Sequence, residues 1–117
     1  MTDTAVMEEQ SVGAPACCAM RPAPALEILA EDEELARLAK ALGHPARVAI
    51  VRYLLRQGER VCTDLSEVVP LAHATAMQHI KVLRESGLLS SARYGRNVVY
   101  CVSPAARARL TALVGEL

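Results

Sequence analysis

The stretch from Thr63 to Leu89, T-D-L-S-E-V-V-P-L-A-H-A-T-A-M-Q-H-I-K-V-L-R-E-S-G-L-L, constrains the fold more than any other. Thr63 is suited to cap a short helix over 64–69. Pro70 cannot continue that helix, so the chain must break there. A second helix follows from about His73 to Ser86. Ala76, Ile80 and Leu83 recur at i, i+4 and i+7, which places them on one inward face. Thr75, Gln78, His79 and either Lys81 or Arg84 then face outward. Gly87 can take the left-handed conformation that ends a helix. A short helix, a tight break and a longer helix make a helix-turn-helix, whose second helix enters the DNA major groove.

The flanking chain fits around this motif. Leu35, Leu38 and Leu42 fall at helical spacing within a helix read over 26–42, with acids crowding its first turn. Pro45 opens a second helix, with Val48, Ile50, Val51, Leu54 and Leu55 as its apolar positions. Arg60-Val61-Cys62 reads as a short strand. Leu89–Tyr94 and Val98–Val102 read as two strands joined by a Gly95-Arg96-Asn97 turn. A hairpin directly after a helix-turn-helix is a wing, and Arg93 and Arg96 at its tip are placed for phosphates. Pro104 opens a last helix. Tyr53 and Tyr100 are expected to pack. The expected fold is mainly α with a small β-wing, a winged helix-turn-helix in the order helix, helix, strand, helix, helix, strand, strand, helix.

Composition narrows the alternatives. Aromatics are 3% of the 117 residues, with no Phe or Trp, so the core must be built from aliphatic side chains and favours packed helices. The formal net charge is zero. Its distribution is uneven: residues 1–35 carry eight acids against Arg21, and residues 36–117 are correspondingly basic. A basic domain behind an acidic head fits nucleic-acid binding. No apolar run reaches membrane-span length and no signal-peptide pattern opens the chain, so a cytoplasmic location is expected. No nucleophile–base pair or phosphate loop points to an enzyme.

Residues 1–25 read as a flexible N-terminal arm carrying the adjacent pair Cys17-Cys18, and residues 26–117 as the DNA-binding and dimerisation domain. The remaining cysteines are Cys62 and Cys101. In a cytosolic setting all four are ligands, redox centres or buried filler. Cys17-Cys18 makes a poor structural disulfide, yet two neighbouring thiolates can grip one soft ion. If the short strand pairs with the returning wing strand, Cys62 and Cys101 are neighbours.

Three collinear motifs carry a family resemblance over roughly residues 31–117. A-L-G-H-P-A-R-V-A-I-V-R-Y-L (41–54), A-T-A-M-Q-H-I-K-V-L-R-E-S-G-L-L (74–89) and R-Y-G-R-N-V-V-Y (93–100) resemble the second helix, recognition helix and wing of the ArsR/SmtB family of winged-helix repressors. The resemblance implies a homodimer, joined through the first and last helices, that binds double-stranded operator DNA and is released by a metal or metalloid. It implies DNA contacts from His73, Thr75, Gln78, His79, Lys81, Arg84, Arg93 and Arg96. Gln can read adenine bidentately in the major groove. His44 replaces the family's usual Asp, and Ala72-His73-Ala74 replaces its usual Ser-Gln-Ser. Both changes remove small polar groups that would cap a helix or touch phosphate.

The family's sensing sites separate by residue. Its zinc-type site needs Asp and His on the last helix, and 104–117 has neither. Its best-known arsenic motif places two cysteines where Val61 and Thr63 stand here, with Cys62 between them. A further subclass of arsenic repressors joins an N-terminal Cys-Cys pair of one subunit to a cysteine near the third helix of the other. The resemblance places Cys17, Cys18 and Cys62 in those roles, with Cys101 as an additional or alternative ligand. Trivalent arsenic and antimony favour such soft thiolates. As(III) or Sb(III) is therefore the expected inducer, with methylarsenite or Cd/Pb-type ions as alternatives and no permanent cofactor. A thiol redox or persulfide sensor on the same fold is a further alternative.

Overall fold

The computed structural model describes residues 19–58 and 62–117. Four helices and a two-stranded antiparallel hairpin follow in the order α1 (Ala30–Ala41), α2 (Pro45–Arg56), α3 (His73–Ser86), β1 (Leu89–Tyr94), β2 (Asn97–Val102) and α4 (Pro104–Gly115). No helix among the described residues is long and apolar enough to cross a membrane.

Helix α1 begins at Ala30, four residues later than the periodicity predicts. The Asp32 carboxylate reaches back and accepts the Leu29 backbone N–H at 2.8 Å. That fixes the first turn, and Glu31, Asp32 and Glu33 sit where the helix dipole favours acids. Leu38 and Ala41 bury themselves. Arg109 of α4 grips Glu34 of α1 with two hydrogen bonds of 2.8 and 2.9 Å, so the first and last helices are tied by charge as well as packing.

Helix α2 has Pro45 in its first turn. His44 was expected to weaken this start. Instead its Nδ1 accepts the Ala46 N–H at 3.0 Å, so the imidazole performs the capping that a carboxylate would. Ile50 and Leu54 are buried, whereas Val48 is exposed and not a core position. Tyr53 also stays exposed; Tyr100 is buried.

The greatest departure from expectation lies between Cys62 and Ala72. No regular helix forms over 64–69; residues 66–68 make a single turn. Thr63 does not cap it. The Asp64 carboxylate accepts the Ser66 N–H at 2.9 Å, and this bond holds Asp64 below the ordinary carboxylate range. Pro70 biases Val69 away from helical geometry, so fewer than two turns were ever available. Thr63 instead exchanges both backbone hydrogen bonds with Tyr100, each 2.8 Å. This isolated bridge lies one residue beyond the strand expected over 60–62, of which 60 and 61 lie outside the described residues.

Helix α3 has the predicted bounds, and Ala76, Ile80 and Leu83 are all buried. Gly87 ends it at φ 92°, a conformation that favours glycine. The hairpin pairs Leu89 with Val102 through Tyr94 with Asn97. Asn97 thus belongs to the strand, leaving a two-residue turn with Gly95 at φ 66°. Leu54, Leu65, Ile80, Leu83 and Leu88 are the most deeply buried large side chains. They come from α2, the turn, α3 and the segment entering β1, so one aliphatic core seats the reading helix.

Candidate nucleic-acid interface and thiol pair

With Ala76, Ile80 and Leu83 turned inward, the opposite face of α3 is set by helical geometry. Gln78 and Lys81 are exposed along it, and His73, Thr75 and Arg84 are exposed on its flanks. Lys81 lies 4.0 Å from Glu85 one turn on, an exposed pair that leaves the ammonium available to solvent and phosphate. The start of α3 carries no side-chain cap, since Ala72 has no acceptor to offer. Its first N–H groups therefore point toward whatever approaches that end.

The wing lies beside this helix. A notch of about 240 Å³ is lined on one side by His73 and Met77 of α3 and on the other by Arg96, Asn97 and Val98 of the hairpin. Arg93 and Arg96 are both exposed. The reading face and the basic wing tip thus form one continuous surface.

His79 differs from its neighbours on α3. It is half-buried, with its ring centroid 4.4 Å from that of His44. Its Nδ1 lies 3.2 Å from a guanidinium nitrogen of Arg47. Arg47 also donates to the Ala41 carbonyl at 2.7 Å and, at 3.4 Å, to that of Lys40. One guanidinium therefore joins the end of α1, the start of α2 and the middle of α3. Burial, then the neighbouring His44 and Arg47 charges, hold His79 below its ordinary value. The side chain orients the reading helix from behind rather than lying open on its outer face.

At the other edge, Thr63 and Tyr100 form a hydrogen-bonded antiparallel pair. One residue further out in that register, Cys62 stands opposite Cys101. Such a pair is of the non-hydrogen-bonded type, in which side chains approach most closely. Cys62 is exposed and Cys101 half-buried, and neither is in a disulfide. The neighbouring Cys101 thiol, and then burial, push the Cys62 thiol above its ordinary value. The Cys101 Sγ also meets the Ser90 hydroxyl at 3.2 Å. Among the described residues no group of three or more His, Cys, Asp and Glu gathers to hold a metal ion. Cys17 and Cys18 lie outside the described residues.

Comparison with known proteins decides the family. A family model described as a helix-turn-helix domain matches residues 42–92. The biofilm growth-associated repressor of Agrobacterium fabrum is 35% identical over 89 residues, covering 76% of this chain and 74% of that one. The transcriptional repressor SmtB of Mycobacterium tuberculosis is 37% identical over 84 residues, 71% of this chain; the match spans 59% of that relative's length. The solution structure of a homodimeric winged helix-turn-helix DNA-binding domain from Mycobacterium bovis superposes with a TM-score of 0.57 at 28% identity, over 72% of this chain and 77% of that one. The chain belongs to the ArsR/SmtB family. Members of this family are transcriptional regulators rather than enzymes.

Within this ArsR/SmtB frame, the sequence-predicted residues fall into three groups. His73, Thr75, Gln78, Lys81, Arg84, Arg93 and Arg96 share the exposed surface. His79 is drawn inward by Arg47. Cys62 and Cys101 meet at the sheet edge. Sequence reasoning missed Arg47 and Ser90. Ser90 faces Cys101 across the hairpin, which the strand register alone could have shown. Arg47 sits three residues after the His44 cap, on a turn whose direction only the packed helices define.

Proposed function

We propose that the protein is a cytoplasmic homodimeric repressor that binds double-stranded operator DNA and lets go when trivalent arsenic or antimony binds Cys17, Cys18 and Cys62. The observation that carries this reading is the position of Cys62. Its thiol is exposed at the junction between the sheet edge and the helix-turn-helix, one residue before the Thr63–Tyr100 bridge. An ion drawn onto it pulls at the point where the reading motif is anchored to the wing.

Dimerisation is supported by apolar surface beside the first and last helices. Leu26, Ile28 and Leu29 precede α1, Val114 lies in the last turn of α4 and Leu117 just beyond it, and all are exposed. The similar domain from Mycobacterium bovis is homodimeric, which supports a dimer here. Two copies of α3 related by a two-fold axis would read two half-sites of an operator. Gln78 is the candidate for base contact, while Arg93 and Arg96 position the wing on phosphates.

Three thiolates suit trivalent arsenic and antimony, which are soft and three-coordinate. Release requires the ion to bind the DNA-free conformation better, by a coupling of about 1–3 kcal/mol. The test is fluorescence anisotropy on an operator duplex, titrated with arsenite and antimonite. Wild type is expected to release DNA. Cys17→Ser, Cys18→Ser and Cys62→Ser are expected to bind DNA normally and stay bound. Release that persists in the Cys17 and Cys18 variants would sink the three-thiolate reading.

A further inference from the structure

We propose that Cys62 and Cys101 form a two-thiol site of their own, for a monosubstituted trivalent arsenical, R–As(OH)2. The site deepens the proposed function by naming a ligand class, and it rests on that reading only for the choice of element. Inorganic As(III) has three exchangeable oxygens and is satisfied by three thiolates. An organic substituent blocks one position, and two thiols then complete the set.

The geometry for two bonds is on the sheet edge. Thr63 and Tyr100 exchange both backbone hydrogen bonds at 2.8 Å, which fixes the register of the two segments. The next pair outward, Cys62 and Cys101, is directly opposed with the closer side-chain approach. The Thr63–Tyr100 bridge thus brings the two cysteines together as direct cross-strand neighbours. Cys62 is exposed, so one face of the pair is open to a ligand. The hydroxyl of Ser90, 3.2 Å from the Cys101 sulfur, adds a polar group beside the arsenic hydroxyls as they leave.

The exchange balances without an oxidant. Each thiol sulfur forms one As–S bond as one As–O bond breaks. Each thiol proton leaves with a hydroxide as water, so two waters form and arsenic stays trivalent. The product is a ring that staples the segment entering the helix-turn-helix to the returning wing strand. The second bond forms within the molecule, so two-point attachment exceeds one-point attachment by on the order of 100-fold or more.

The test uses the full chain carrying Cys17→Ser and Cys18→Ser, in a phosphine reductant, with phenylarsine oxide as the probe. In water this reagent is the dihydroxyarsine required above. We expect one phenylarsine per chain by intact mass, with both remaining thiols lost to a thiol-reactive dye. Adding Cys101→Ser should weaken binding on the order of 100-fold, to the level of a lone thiol. A thermal melt matching the parent would show that this variant is folded. Undiminished binding by the Cys101→Ser variant would overturn the site, as would a parent that loses two hydrogens to a disulfide without gaining the arsenical. The readout is adduct formation without DNA in a chain lacking Cys17 and Cys18. Its failure therefore leaves the three-thiolate reading standing, and failure of arsenite to release DNA leaves this site standing.

Discussion

The two halves of the helix-turn-helix are built on different physics. Helix α3 is fourteen residues long and rests on three buried side chains, Ala76, Ile80 and Leu83. The segment before it, Thr63 to Leu71, has one deep anchor, Leu65, and otherwise holds its shape by local hydrogen bonds. Asp64 takes the Ser66 N–H, and Thr63 is pinned to Tyr100 from outside the segment. The reading element is positioned by packing, and the element in front of it by a tether. A packed helix resists small ligands, whereas a tethered turn moves when its tether does. That contrast makes α3 the rigid end of the motif and, on the proposed function, makes the segment beginning at Cys62 the end through which an inducer would act.

The sharpest way to break the comparison is to remove packing from the rigid half. Leu83 is fully buried at the centre of the core. Leu83→Ala is expected to cost about 2–5 kcal/mol of stability. Val68→Ala, on the exposed side of the turn, should stay within about 0.5 kcal/mol. Urea unfolding of both variants measures the difference. Equal losses would mean the turn is packed as firmly as the helix.

A smaller effect is expected where α3 ends. Gly87 sits at φ 92°, with open space around a would-be Cβ. Gly87→Ala therefore meets no clash, and the cost is conformational alone, about 1–2 kcal/mol. The same urea unfolding should show Gly87→Asn losing less, because Asn tolerates the left-handed region. If Ala and Asn lose equally, the penalty comes from packing and not from the backbone.

The same contrast explains what could be read from the sequence. The bounds of α3 were legible because fourteen residues give a periodic pattern enough turns to declare itself. The wing was legible from alternation and from Gly95. The segment 64–69 was misread as a helix because six residues between a polar cap and Pro70 look alike whether they make a helix or a turn. Val48 was misread as core because α2 is amphipathic on a face that only its neighbours define. The Cys62–Cys101 meeting was legible through strand logic. The three-way grip of Arg47 was not, since it joins positions from 40 to 79 that no local pattern connects.

The smallest expected effect tests that grip, and with it the claim that α3 is held from behind. His79 is kept below its ordinary value of 6.5 by burial and by the nearby His44 and Arg47. The unfolded chain therefore takes up a proton here at a higher pH than the folded one does. Stability from this residue is present in full above about pH 6.5. It is lost progressively as pH falls from there toward the folded value, because protons then favour the unfolded chain. In His79→Gln, melting temperature should fall less between pH 7.5 and pH 5.5 than it does in wild type, a window spanning roughly one pH unit either side of the ordinary histidine value. An unchanged slope in His79→Gln would take the titrating contact out of this grip and leave α3 seated by its three apolar anchors alone.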